Sequence, residues 1–232
     1  MAIAIDASSP AVVTGVTSGA LTTASFSPPA GSVLVVLTGI GWSGGSPGIN
    51  ITDSQSLSGW FLASSAIGTG NNTVSAVFAV ALPTAPGAMT VTNTYTNVGA
   101  TGGTFMRVLV LTGANATQTA TTGHAVVNGT SSTASGQITL STTQAGSMLY
   151  GLSVDGVSNT TFTALGTTTQ LGSTFSSAGN FTMGAWQSAN PTVTPGSSVY
   201  GGTWGAAHIG CVAMFEVLPA ASVNTGWFEM FE

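Results

Sequence analysis

The sequence predicts an all-β protein: a jelly-roll-type antiparallel β-sandwich with an extended C-terminal tail. Three observations predict it. No segment keeps a helical period, whereas short runs rich in Val, Thr and aromatic residues recur along the chain. Turn signals such as Ser27-Pro28-Pro29, Pro86-Gly87, Gly102-Gly103 and Pro195-Gly196 separate those runs. The 232 residues suffice for one large β domain or two small ones, with a core that needs no disulfide or metal.

Taken in order, the first strands are expected at Leu21–Ser27, Ser32–Gly41, Ile49–Asp53, Trp60–Ser64, Thr73–Leu82, Ala88–Tyr95 and Thr104–Thr112. A second set is expected at Ala125–Val127, Gly136–Ser141, Ser147–Val154, Thr161–Leu165, Asn180–Gln187, Ser197–Trp204 and His208–Leu218. In Thr104–Thr112, Phe105, Arg107, Leu109 and Leu111 alternate with Met106, Val108 and Val110. Both faces are largely apolar, which predicts a central strand covered on both sides. In Thr73–Leu82, Val74, Ala76, Phe78 and Val80 oppose Thr73, Ser75, Val77 and Ala79, which reads as one-sided.

The chain resembles itself. Ala30-Gly31-Ser32 and Ala145-Gly146-Ser147 each precede an apolar run. Asn72–Ala81 aligns with Asn180–Ala189, Pro86-Gly87 with Pro195-Gly196, and Phe105–Leu111 with Gly210–Glu216, in the same order. Two β-halves are expected, at about 20–113 and 135–218, within a sandwich spanning 1–221. One jelly roll of related halves is favoured over two tandem sandwiches, because five or six strands per half are few to close a sandwich. The polar join Gly113–Gly123 serves as a long crossover or a linker.

The segment 222–232 differs from the rest, with Trp227, Phe228, Met230 and Phe231 beside Glu229 and Glu232. It either packs back on its own domain or forms an arm that docks on a neighbouring subunit. The arm is the reading adopted, with Trp227, Phe228, Met230 and Phe231 as partner-binding residues.

Charge narrows function. Only 3% of the residues are charged, against roughly 25% in ordinary domains. Arg107 is the one basic residue among Lys and Arg, and the six acids are Asp6, Asp53, Asp155, Glu216, Glu229 and Glu232. One arginine cannot displace the counterions of a nucleic acid, nor serve an anionic membrane surface. A lone Cys211 excludes a disulfide scaffold. With 43% hydrophobic residues, charge-driven disorder is excluded too. No apolar run reaches the 18 or so residues of a membrane helix. The N-terminus MAIAIDASSP lacks the basic and apolar regions of a secretory signal. A neutral Ser/Thr/Gly surface suits a protein outside cells or inside a large assembly. Without an export signal, a virion protein made in the cytoplasm and released by lysis reconciles the two.

No candidate chemistry is strong. His124, expected in a loop, and His208, expected to open the last strand, lack a neighbouring nucleophile motif and make no metal spacing with Cys211. No cofactor is expected. Asp53 and Asp155 each end a strand and could in principle pair as glycosidase carboxylates or bind calcium, but each reads better as a turn cap. Arg107 sits mid-strand among apolar neighbours and needs a partner, for which Asp53, Asp155 or Glu216 is expected in a structural ion pair. Cys211 reads as a small core residue. Trp42, Trp60, Trp186 and Trp204 read as core or interface residues, with a sugar-stacking platform as the alternative. The Asn-x-Ser/Thr triplets follow from an Asn- and Thr-rich composition.

Three phrases carry a family resemblance: Phe26-Ser27-Pro28-Pro29-Ala30-Gly31-Ser32 running into Val33–Leu37 and Gly41-Trp42, then Ile51-Thr52-Asp53-Ser54 before Gly59-Trp60, then Ala213-Met214-Phe215-Glu216-Val217-Leu218-Pro219-Ala220. This pattern resembles Gly/Thr-rich β-sandwich proteins of tailed phages of actinobacteria, described as minor tail or virion structural proteins. The resemblance spans most of 20–221 and brings no catalytic residues. It implies a non-enzymatic minor tail protein near the distal end of the tail. Its partners would be other virion proteins, further copies of itself and host cell-surface glycan. A capsid decoration protein is the alternative in the same class, and a carbohydrate-binding module the alternative in another.

Overall fold

A computed structural model describes residues 1–15, 19–42, 47–68, 73–96, 101–118, 124–127, 133–156, 161–176, 181–192, 194–208 and 210–221. The regular structure of these residues is all β, in antiparallel sheets. The first half carries β1 (Ala4–Ile5), β2 (Val13–Gly15), β3 (Leu21–Thr22), β4 (Ser32–Trp42), β5 (Gly48–Asp53), β6 (Phe61–Gly68), β7 (Thr73–Leu82), β8 (Val91–Thr96) and β9 (Thr101–Thr112). The second carries β10 (His124–Val127), β11 (Thr133–Ser141), β12 (Met148–Asp155), β13 (Thr163–Ala164), β14 (Thr168–Ser176), β15 (Phe181–Ser188), β16 (Ser197–His208) and β17 (Gly210–Val217).

The two halves have the same strand order. In the first, β9-β4-β7-β6 form one sheet, extended past β9 by β1 and β2, and β3-β8-β5 form the other. In the second, β17-β12-β15-β14 form one sheet, extended by β10, and β11-β16-β13 form the other. In each half the pairs nest like a long hairpin folded over: β4 with β9, β5 with β8 and β6 with β7 become β12 with β17, β13 with β16 and β14 with β15. Each half closes as a two-layer sandwich, and the larger sheets stack face to face, giving four layers.

This differs from a single jelly roll, for two reasons. The strand count from sequence omits β14, whose Thr- and Ser-rich residues form an edge strand with a polar outer side. It also omits the support each half takes from the other. Leu34, Val36, Ile40, Met106, Val108 and Val110 fill the first sandwich. Leu149, Phe162, Trp186, Trp204, Val212 and Met214 fill the second. Val35, Leu37, Leu109, Leu152, Val154 and Phe215 form a third core between the two. Alternate residues of β4 and β9 thus enter different cores, which is why both faces of these strands are apolar. β7 is also covered on both sides rather than one. Its Val77 and Ala79 pack in the middle core, and Ser75 Oγ donates to Leu152 O at 2.7 Å. Small residues let a face that looks half-polar become an interface.

The larger sheets run in parallel register. Phe61 of β6 meets Phe215 of β17, and Gly39 of β4 lies against Leu152 and Val154 of β12. At Gly41 the Phe181 ring occupies the space a Cβ would need, so glycine permits the close approach of the sheets. β6 packs on β17 while its counterpart β14 packs on β9. The halves are therefore related by an approximate two-fold that runs along the strands.

Local details repeat as well. Gly31 (φ 74°) and Gly146 (φ 82°) precede serines that close the same turn, Ser32 Oγ donating to Pro29 O at 2.7 Å and Ser147 Oγ to Gln144 O at 2.8 Å. Val33 pairs with Leu111 and Met148 with Val217. Leu111 thus corresponds to Val217, one residue beyond the alignment of Phe105–Leu111 with Gly210–Glu216. A slip of one residue exchanges the two faces of a strand, so the register matters. The join between the halves starts against the end of β17: Ala114 bridges Pro219, Leu218 N donates to Gln118 Oε1 at 2.8 Å, and Gln118 Nε2 donates to Glu216 O.

Candidate functional site

The described charged groups hold the fold together locally. Asp53 ends β5, and its carboxylate accepts from Gln55 N (2.8 Å), Leu57 N (3.2 Å) and Trp60 Nε1 (2.8 Å). It ties the turn between β5 and β6. N–H donors converging on both oxygens are the reverse of a calcium site, where the same oxygens would face a cation. Glu216 is fully buried in β17 and accepts from Thr143 N and Thr143 Oγ1, both at 2.8 Å. It thereby fixes the turn before β12. Asp6 accepts from Ser8 N at 2.9 Å, and that backbone hydrogen bond holds its carboxyl below the usual range.

The structure corrects the ion pair expected of Arg107 with Asp53, Asp155 or Glu216. Nη1 of Arg107 donates to Pro10 O at 2.5 Å, and Nε is buried with no hydrogen-bond partner. Arg107 sits mid-way along β9, beside the segment joining β1 and β2, whereas Asp53 and Glu216 are engaged at the end where β4 and β12 begin. Half-burial lowers the guanidinium pKa. Asp155 is buried at the opposite end of the molecule, paired in the ladder with Thr182 and Gly210. Asp53 and Asp155 are therefore not brought together as a glycosidase pair.

His124 does not lie in a loop but opens β10 opposite Phe215, and His208 ends β16 opposite Thr133 rather than opening the last strand. Their side chains, and the arm residues Trp227, Phe228, Met230 and Phe231, lie outside the described residues. Cys211 is fully buried, and burial pushes its thiol up to about 12. Trp42, Trp186 and Trp204 are buried and Trp60 is half-buried, so these four form no exposed platform for sugar stacking. Among the described residues, no group of three or more His, Cys, Asp or Glu is placed to hold a metal ion.

Two polar bridges span the sandwiches at equivalent positions. In the first, Tyr95 OH and Thr38 Oγ1 lie 2.9 Å apart, Thr38 Oγ1 donates to Phe105 O at 3.0 Å, and Asn93 Nδ2 donates to Thr38 Oγ1. In the second, Ser153 stands where Thr38 stands, donating to Gly136 O at 2.8 Å and accepting from Trp186 Nε1 at 3.0 Å. Both are sealed in their cores and join the smaller sheet, or its partner strand, to the larger.

Two clefts, one per sandwich, open to solvent at the end of the molecule where β4 and β12 begin. The first, about 340 Å³, lies between the β5–β6 turn (Gln55, Leu57, Ser58) and the β7–β8 turn (Pro83, Thr84, Pro86). The second, about 450 Å³, lies between the β13–β14 turn (Thr167) and the β15–β16 turn (Asn190, Thr192, Thr194), and reaches Ser198 and Tyr200 of β16. They occupy corresponding places. Only the second is lined mainly by hydroxyl and amide groups, a difference that composition could not reveal because it depends on which turns the fold brings together.

The chain matches no protein-family model, and neither curated proteins nor solved structures include a significant match to it.

Proposed function

We propose that this chain is a non-enzymatic structural protein of a tailed-phage virion, a minor tail protein near the distal end of the tail. The observation that carries the reading is the distribution of charge. The described carboxylates of Asp6, Asp53 and Glu216 are engaged in turns, and the arginine is bound to a backbone carbonyl. Among the described residues the exposed side chains are uncharged, with Leu62, Ile67 and Val199 exposed among Ser, Thr, Asn and Gly. Such a surface has little long-range electrostatic steering, so contacts with neighbours rely on short-range hydrogen bonding and apolar packing. Four layers sharing three cores supply a stiff block suited to assembly. The segment 222–232 acts as the anchor to a neighbouring subunit, and copies of the chain assemble as a closed ring or trimer.

Immunogold labelling of particles with antibody against the chain tests the reading. Gold at the distal tail is the expected result. Gold over the head would replace the tail role with capsid decoration. Absence of label from intact and disrupted particles alike would overturn the virion role. In the same particles, a chain lacking 222–232 should fold and fail to incorporate; normal incorporation would remove the anchor role from that segment.

A further inference from the structure

We infer that the cleft at the end of the second sandwich is a binding site for a neutral saccharide. Its walls are fixed by main-chain hydrogen bonds. Gly146 N donates to Thr192 O at 2.6 Å, Thr192 N to Ser147 O at 2.9 Å and Ala189 N to Thr167 O at 2.9 Å. Thr142 N donates to Gly196 O at 3.0 Å, and Gly196 N returns a bond to Thr142 Oγ1 at 3.2 Å. A cleft held this way loses little freedom when it is filled.

The lining decides the ligand class. No charged side chain lines the cleft, which disfavours phosphate, sulfate, carboxylate and metal ligands. The side chains of Asn190, Thr192, Ser197, Ser198 and Tyr200 make no hydrogen bond within the described residues, so their donors and acceptors are available. Hydroxyls and an amide, each able to give and to take a hydrogen bond, match the vicinal hydroxyls of an uncharged sugar. Tyr200 is half-buried against the core of the second sandwich, which anchors an aromatic ring at the cleft wall. A volume of about 450 Å³ lies within the range of about 300–1,000 Å³ typical of small-ligand sites.

The first sandwich supplies an internal control. Its corresponding cleft is lined mainly by Leu57, Ala81, Leu82, Pro83 and Pro86, with Ser58 and Thr84 beside them, and the Gln55 amide is already engaged with Ala88 O at 2.7 Å. The same fold can therefore form this cleft with mostly apolar side chains, so the richer set of hydroxyl and amide groups in the second is not dictated by the architecture.

As a host contact the site rests on the virion reading; as a binding site it does not. The test applies the full purified chain to an array of neutral, sialylated and sulfated oligosaccharides, followed by titration calorimetry with the neutral glycans retained. Neutral glycans are expected to bind. Asn190→Ala combined with Ser198→Ala should weaken binding at least tenfold with the thermal midpoint little changed, Tyr200→Phe should retain most of it, and Gln55→Ala in the first cleft should leave it intact. No retained glycan, preference for charged glycans, or undiminished binding by the Asn190/Ser198 double variant would each overturn the site. Binding by a chain absent from particles would refute the virion reading alone, whereas labelled particles whose chain binds no glycan would refute the site alone.

Discussion

Phe61 of β6 and Phe215 of β17 meet edge to face across the boundary between the sandwiches, with ring centroids 5.9 Å apart and planes at 73°. The approximate two-fold places Thr169 and Leu109 at the corresponding position, as the ladders that pair Phe61 with Ala79 and Thr169 with Gln187 require. The aromatic contact is thus made on one side only, and the interface is a diverged one.

Phe215 is fully buried and Phe61 only partly, so the two truncations should differ. Phe215→Ala is expected to lower stability by about 3–5 kcal/mol, and Phe61→Ala by less. A double-mutant cycle by denaturant unfolding should return a coupling of about 0.5–1.5 kcal/mol. Strict additivity would mean that the rings do not interact.

Gly41→Ala tests the close approach of the larger sheets. The added methyl group overlaps the Phe181 ring, and overpacking of this kind costs about 1–3 kcal/mol. Phe181→Leu in the Gly41→Ala background should recover part of that loss. Thermal denaturation of the three variants reads the effect, and a Gly41→Ala protein as stable as wild type would contradict the packing.

Removing the Asp53 carboxylate leaves the N–H groups of Gln55, Leu57 and Trp60 without their shared acceptor. Asp53→Ala should destabilise by about 1–3 kcal/mol, and Asp53→Asn, which keeps an acceptor, by less. Release of the Trp60 indole should shift tryptophan emission to the red. Added calcium should change neither stability nor emission of the wild type, because N–H donors already occupy the carboxylate.

Alkaline pH should weaken the fold. Burial raises the Cys211 thiol from 9.0 to about 12, and it raises the Tyr95 and Tyr150 hydroxyls as well. A raised folded pKa means that the unfolded chain releases its proton first. The stabilisation is complete below about pH 9 and declines as pH rises toward 12. Unfolding free energies measured from pH 8 to 11 should fall, and Cys211→Ala should flatten part of the slope. At pH 8 the thiol should resist a disulfide reagent until denaturant is added.

The all-β class was legible because strand periodicity and turn chemistry are local properties. β9 could be recognised as a central strand because both of its faces are largely apolar. The stacking was not legible, since Val77 and Ala79 look the same whether a face meets water or a second sheet. β14 was hidden because an edge strand needs only one apolar side, and the partner of Arg107 because a backbone carbonyl leaves no compositional trace. The polar cleft escaped for a related reason: Asn190, Thr192, Ser198 and Tyr200 are ordinary in a Ser/Thr-rich chain until the β15–β16 turn and the β16 strand bring them together.

On the saccharide proposal, the divergence of the two clefts makes each chain univalent. A single shallow site with no charge to draw on binds weakly, so firm attachment has to come from copy number. The parallel arrangement of the halves leaves the second cleft at one pole. Copies arrayed side by side then present their sites in one direction, and avidity rises with the number of chains that reach the same surface.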